Sequence, residues 1–219
     1  MAATAAFWIA GLSTKGGATH RTAGRWFARL IYAAAWTGGA LAVLTLVRPE
    51  WVRPGDQVGG PGAALDRHLA WLVLYVLVII VAPVQHGLAV VRAGPSPLRV
   101  RSPLHAGLNV AAMIGTVVLL IATILWREWL FLVVVPIGFL VGLRNLLYAG
   151  RTTAAPADWE REHLTSLVTA GVTLHTAFFV FGTKRTLGLE LEGVAAFLPW
   201  VVPAIVGLPI IARLRSRRI

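Results

Sequence analysis

Apolar residues fill this chain in six long runs, and polar positions collect in the intervals between them. The runs extend roughly over Trp26–Val47, His68–Val91, Leu104–Trp126, Trp129–Tyr148, His163–Gly182 and Val194–Leu214. Each approaches the ~20 residues with which a helix crosses a ~30 Å hydrocarbon core. None alternates with the period of two that a membrane barrel requires, so helices are predicted throughout. The intervals carry their own breakers: Arg48-Pro49, Gly94-Pro95-Ser96-Pro97 and Ala155-Pro156. Pro136 in the fourth run, and Pro203 and Pro209 in the sixth, predict kinks. Ahead of the first run, Ala5–Leu12 is too short and unflanked to form the core of a signal peptide. The first spanning helix is therefore expected to act as its own insertion signal. Residues 1–25 read as a cytoplasmic segment made of a short helix and a basic turn, 26–214 as one transmembrane domain, and 215–219 as a basic cytoplasmic tail.

Composition sharpens this picture. The chain is 57% hydrophobic and only 13% charged, against about 25% charged in soluble domains. No hydrophilic interval is long enough to build a core of its own, which excludes a separate soluble domain. The predicted fold is all-α, a polytopic integral membrane bundle of about six helices. Its net charge of +11 is distributed unevenly. Fourteen of the 20 Lys and Arg fall in, or within about one helical turn of, the N-terminal segment, the second-to-third and fourth-to-fifth connections and the tail; on the opposite side six cations face six acids. By the positive-inside rule the basic side is cytoplasmic, with both termini inside. Anionic lipid headgroups account for such a face without nucleic acid, although Arg213–Arg218 offers a contact for a partner. Trp26, Trp51, Trp71, Trp126, Trp129, Trp159 and Trp200 lie near the ends of the runs, where indole rings anchor helices in the headgroup layer.

The chain has no cysteine, which excludes disulfides, thiolate metal sites, iron–sulfur clusters and c-type haem attachment. Any metal or haem must use histidines and carboxylates, and there are six histidines. His20, His105 and His163 stand at the cytoplasmic starts of helices, and His86 lies within ~9 Å of that face at 1.5 Å per residue. His68 begins the second helix from outside, while His175 falls ~18 Å beyond His163. Ionisable groups at membrane depth usually face the bundle interior, so each is a candidate functional group. Haem b held by paired imidazoles is one expectation, with His86 and His105 or His163 as an inner pair and His68 with His175 as an outer pair. A divalent metal held by His86, His105 and His163, with Glu162 as carboxylate ligand or base, is a second. Simple hydrogen bonding between helices and contact with headgroups is a third. His163 and His175, twelve residues apart, project about 120° from one another, which argues against two stacked haems on one stripe.

Gln85-His86, Asn109 and Arg144-Asn145 fall in the same inner layer and predict a polar cavity there. Arg144, so near a helix end, is also expected to snorkel to the interface. Small residues in Ala33–Ala42 and Thr169–Thr173 predict close helix packing. Lys15, His20, Arg21 and Arg25 form a basic turn suited to an anion or a lipid headgroup.

The stretch Lys15-Gly16-Gly17-Ala18-Thr19-His20-Arg21-Thr22-Ala23-Gly24-Arg25 resembles the KG-x-x-x-HR-x-x-G stretch of the bacterial membrane proteins grouped as the domain-of-unknown-function 2306 family. Glu162-His163-Leu164, His175-Thr176-Ala177-Phe178 and Leu198-Pro199-Trp200 are also similar. Members of that family carry a further hydrophobic helix ahead of the KG-x-x-x-HR stretch, where this chain has Ala2–Leu12. The resemblance implies a multi-pass protein of the bacterial inner membrane, and it implies no reaction. Redox chemistry, carriage of a small or lipid-like molecule, and service as a subunit of a membrane complex or homo-oligomer are the functions to be weighed.

Overall fold

Intervals that break the apolar runs also end the helices. The structure is a computed structural model that describes residues 1–52, 61–187 and 193–216. Of the charges counted above, Arg53, Asp56, Glu190, Glu192, Arg217 and Arg218 lie outside the described residues, as do the side chains of Lys184, Arg185 and Arg215. Among the described residues eight α-helices follow in order: α1 (Ala2–Leu12), α2 (Ala18–Val47), α3 (Pro49–Val52), α4 (Pro61–Ala93), α5 (Pro103–Trp126), α6 (Val135–Gly150), α7 (Pro156–Leu187) and α8 (Leu198–Ser216). Among the described residues there is no strand. Six segments among the described residues, in α2, α4, α5, α7, α8 and the stretch Trp129–Gly150 that ends in α6, are long and apolar enough to span a membrane.

Burial ranks these helices. In α4, 56% of the apolar window is buried, against 11% in α2. Accordingly α4 is the centre of the bundle, packed against α2, α5, α6 and α7, whereas α2 gives most of its surface to lipid. The short α1 lies antiparallel on α2 and touches α7, where Phe7 meets the ring of Phe27. A Cβ at Gly171 would stand 2.2 Å from Phe7 Cε2, so the small residues of α7 create the seat for α1.

Several elements depart from the sequence-based expectations. The first spanning helix starts at Ala18 rather than Trp26, so His20, Arg21 and Arg25 sit on α2 itself. Pro136 does not kink the fourth helix. A 3₁₀ turn over Trp129–Val133 precedes α6, and Pro136 occupies its first turn, where a missing N–H leaves no bond unmade. Pro203 and Pro209 do fall inside α8. Trp200 is not a headgroup anchor: at 7% exposure it belongs to the apolar cluster containing Leu72, Ile79 and Phe131.

Tyr75 of α4 secures the start of α6. Its hydroxyl accepts the Gly138 N–H at 3.0 Å and lies 2.8 Å from the Val135 carbonyl and 3.1 Å from Thr116 Oγ1. The first turn of a helix leaves its amides without internal partners, and lipid offers none. Tyr75→Phe should therefore lower stability by roughly 1–3 kcal/mol, the cost of orphaning buried backbone groups. Thermal unfolding of both proteins in the same detergent measures it, and equal melting points would contradict this role.

Helices α5 and α6 approach closely because α6 has glycine at the contacts. A Cβ at Gly142 would lie 2.5 Å from the Asn109 carbonyl oxygen and 2.7 Å from Met113 Cγ. A backbone carbonyl cannot rotate away, so Gly142→Ala is expected to separate the helices at a cost of roughly 1–3 kcal/mol. The same melting measurement applies; an unchanged value would show that this contact has room to spare.

Candidate functional site

A polar layer crosses the bundle near its basic end, between the large apolar cluster around Leu72 and Ile79 and a smaller one containing Val90, Val100 and Tyr148. Ser102 caps the N-terminus of α5 by accepting the His105 backbone N–H at 3.1 Å, and Pro103 follows at the first helical position. That cap sets His105 in the first turn of α5. His86 lies seven residues before the end of α4, about 10 Å into the bundle at 1.5 Å per residue, and is fully buried. Arg101 donates to the carbonyls of Ala149 and Gly150 at 2.8 and 3.1 Å, which ties the end of α6 to the start of α5.

These elements bring seven side chains into one polar network, in which six form a circuit closed by the ion pair of Arg144 with Glu162 and Ser166 is a branch. His86 Nδ1 is 2.9 Å from His105 Nε2, and His86 Nε2 is 3.1 Å from Glu162 Oε1. Arg144 Nε is 3.3 Å from the same carboxylate oxygen. Its Nη2 donates to Ser166 Oγ at 2.9 Å and to Asn145 Oδ1 at 3.2 Å. Asn145 Nδ2 then donates to Asn109 Oδ1 at 2.8 Å, and Asn109 Nδ2 to the His105 carbonyl at 2.7 Å, which closes the circuit. Four helices contribute: α4, α5, α6 and α7. Arg144 therefore does not snorkel; its partners face inward, and Glu162 neutralises it there.

Donor and acceptor chemistry gives the chain a direction. A carboxylate only accepts, so His86 Nε2 carries the proton toward Glu162. With both rings neutral, His86 Nδ1 is then an acceptor, and His105 Nε2–H donates to it. The result is a single file, His105 to His86 to Glu162, with every hydrogen bond pointing the same way.

Of the histidines expected to form one layer, the structure joins two. His163 does not belong to the His86–His105 pair: its Nδ1 meets the Gly87 carbonyl at 2.9 Å, and its ring lies 6.4 Å from that of His20. Glu162 and His163 are neighbours on one helix, and neighbours project about 100° apart. No group of three His, Asp or Glu positioned to hold a metal ion occurs among the described residues. The expected divalent metal site of His86, His105 and His163 is thus not assembled.

Haem b does not fit the His86–His105 or the His68–His175 pair as packed, and His163, the other inner candidate, is turned to the Gly87 carbonyl. Two axial imidazoles stand about 4 Å apart across an iron, at the ~2.0–2.1 Å typical of metal–His bonds, whereas His86 and His105 are bonded directly at 2.9 Å. The outer pair is not formed at all. His68 stacks on Trp126 at 4.1 Å and meets Glu128 at 3.2 Å, while His175 accepts the Trp8 indole N–H at 3.0 Å and contacts the Gly171 carbonyl at 2.6 Å.

The basic stretch is largely engaged with α1. Lys15 Nζ donates to the Ala10 and Gly11 carbonyls, and His20 Nδ1 meets Ala10 O at 2.9 Å. Cations at a helix C-terminus complement its dipole. Loss of hydration there holds the Lys15 ammonium below the ordinary lysine pKa. Arg21 donates to the Gly16 carbonyl at 2.5 Å and Arg25 to Thr22 at 3.4 Å, and both are exposed.

Two participants carry no sequence signal of their own. Ser166 is indistinguishable in the sequence from the other small residues of α7. Tyr148 is 2% exposed, presents its ring to the edge of His86 at 5.5 Å, and has a buried hydroxyl with no hydrogen-bond partner. In comparisons with known proteins, the chain matches no family model, no curated protein and no solved structure.

Proposed function

We propose that this multi-pass membrane protein is a proton-linked carrier, in which the file from His105 through His86 to Glu162 takes up and releases one proton at the cytoplasmic side. The observation that carries this reading is the pair of hydrogen bonds at 2.9 and 3.1 Å linking two imidazoles and a carboxylate across three helices. A proton reaching His105 Nδ1 lets the Nε2 proton of His105 pass to His86 Nδ1, and the Nε2 proton of His86 pass to Glu162. Each ring ends neutral with its tautomer reversed, and the carboxylate ends protonated. Such relays are the usual work of ionisable residues at membrane depth. Asn109 and Asn145 do not titrate; their role is to hold α5 and α6 in register.

In the same reading the basic end faces the cytoplasm by the positive-inside rule, the membrane is a bacterial inner membrane, and the chain is kin to the domain-of-unknown-function 2306 family. Support comes from the distribution of Lys and Arg and from the KG-x-x-x-HR stretch. Exposed Arg21, Arg25 and Arg29 suit anionic lipid on that face.

Infrared difference spectra of the protein in lipid, taken between pH 8 and pH 5, test the proposal. The expected result is a protonated-carboxyl band that is absent from Glu162→Gln. A spectrum with no such band, or one unchanged by that substitution, overturns it.

A further inference from the structure

An open groove of about 650 Å³ runs between α1 and α2. Five of its ten lining residues are alanine, so short side chains leave a channel where the two helices pack. Its character changes along its length. Thr19 and Thr22 line the end near the basic turn, and Trp26 and Leu30 of α2 with Ala2 and Ala5 of α1 make the rest apolar. From Thr19 to Leu30 is about 16 Å at 1.5 Å per residue, most of the ~20 Å that one leaflet spans from headgroup to midplane. One edge of the groove is basic. Arg25 donates to Thr22 Oγ1 at 3.4 Å, and the Arg29 guanidinium lies 5.4 Å from the centre of the Trp26 ring. Both arginines are exposed and held against residues that line the groove. The first 47 residues contain no Asp or Glu, and among the described residues no acid pairs with Arg25 or Arg29.

We propose that this groove binds one anionic phospholipid, with its phosphate held by Arg25 and Arg29 and one acyl chain laid between α1 and α2. Charge complementarity selects the occupant. A guanidinium fork matches phosphate oxygens in geometry as well as in charge, and the apolar channel beside it suits a hydrocarbon chain. A second copy of this chain would bring the same two arginines to the same edge, where like charges repel. Lys15 and His20 take no part, because they are bonded to the end of α1. The site is separate from the file of His105, His86 and Glu162, so it stands or falls independently of the relay.

Native mass spectrometry of the full chain, stripped of lipid and titrated with phosphatidylglycerol, phosphatidylcholine or glycerol 3-phosphate, tests the idea. The first phosphatidylglycerol should bind about 25-fold more tightly than the first phosphatidylcholine, at about fivefold for each arginine near a membrane surface. Glycerol 3-phosphate, which has the phosphate and no acyl chain, should not bind. Replacing both arginines, Arg25→Gln with Arg29→Gln, should bring phosphatidylglycerol down to the affinity of phosphatidylcholine. Ala5→Phe, which fills the groove, should weaken the first phosphatidylglycerol at least tenfold while leaving both arginines in place. Should Ala5→Phe fail to fold, the arginine substitutions decide by themselves, because both side chains are exposed. Equal binding of the two lipids by the wild type overturns the proposal. So does a preference that survives loss of both arginines, or phosphatidylglycerol binding unchanged in a folded Ala5→Phe. A homodimer that carries no lipid would give the groove to a second copy and overturn it as well.

Discussion

Arg144→Met is expected to destabilise the bundle by about 3–5 kcal/mol, the range for breaking a buried ion pair from one side. The physical reason is that Glu162 would keep its carboxylate in a low-dielectric layer without the guanidinium that lies 3.3 Å from it. Glu162→Gln should cost less, because Arg144 retains Ser166 and Asn145 and a glutamine oxygen still accepts from His86. Replacing both by methionine should cost less than the sum of the two methionine single variants, since neither charge is then left alone. A double-mutant cycle of Arg144→Met and Glu162→Met, read by unfolding in mixed micelles, reports the coupling, which for side chains in contact runs to roughly 0.5–3 kcal/mol. Strict additivity would mean that the two do not interact in the membrane.

The second large effect concerns the middle of the file. His86→Gln keeps hydrogen-bonding atoms in place of the ring but cannot exchange one proton for another across itself. Protonation of Glu162 after a pH jump, followed by time-resolved infrared absorption, should slow by about 10²-fold or more, the scale on which positioned acid–base groups act. Stability should change much less than for Arg144→Met. If the rate survives, protons reach Glu162 by another route and the direction assigned to the hydrogen bonds has no kinetic meaning.

The layer that holds these groups is legible in the sequence, because polar residues stand out against Leu, Val and Ala. Gln85-His86, Asn109 and Arg144-Asn145 fall at matching depths from the basic ends of their helices, and counting residues at 1.5 Å each is enough to align them. The six spans and the boundaries near breakers such as Gly94-Pro95-Ser96-Pro97 and Ala155-Pro156 are legible for the same reason. What a helical count does not supply is rotation about neighbouring axes. Glu162 and His163 differ by one position and serve different partners, His86 and the Gly87 carbonyl. Three histidines at one depth therefore suggest a metal site that the packing does not assemble.

Tyr148 and Trp200 illustrate a related gap. Both are aromatic residues near helix ends, where anchoring in headgroups is the ordinary expectation. Both are buried instead, Tyr148 beneath the turn that joins α4 to α5 and Trp200 against α4 and the 3₁₀ turn before α6. Hydropathy along one helix cannot separate a ring that faces lipid from a ring that faces a neighbour. The function of α1 was equally hidden: it is too short to span, and only the contact of Phe7 with Gly171 and of Trp8 with His175 shows where it belongs.

At neutral pH, His105, His86 and Glu162 are expected to form one hydrogen-bonded file with both rings neutral. Nitrogen-15 NMR of histidine-labelled protein in nanodiscs at neutral pH addresses it directly. The expected spectrum shows His86 Nε2 protonated and Nδ1 not, His105 Nε2 protonated, and a coupling across the hydrogen bond between His105 Nε2 and His86 Nδ1. A doubly protonated His86, or rings with no coupling between them, would contradict the account.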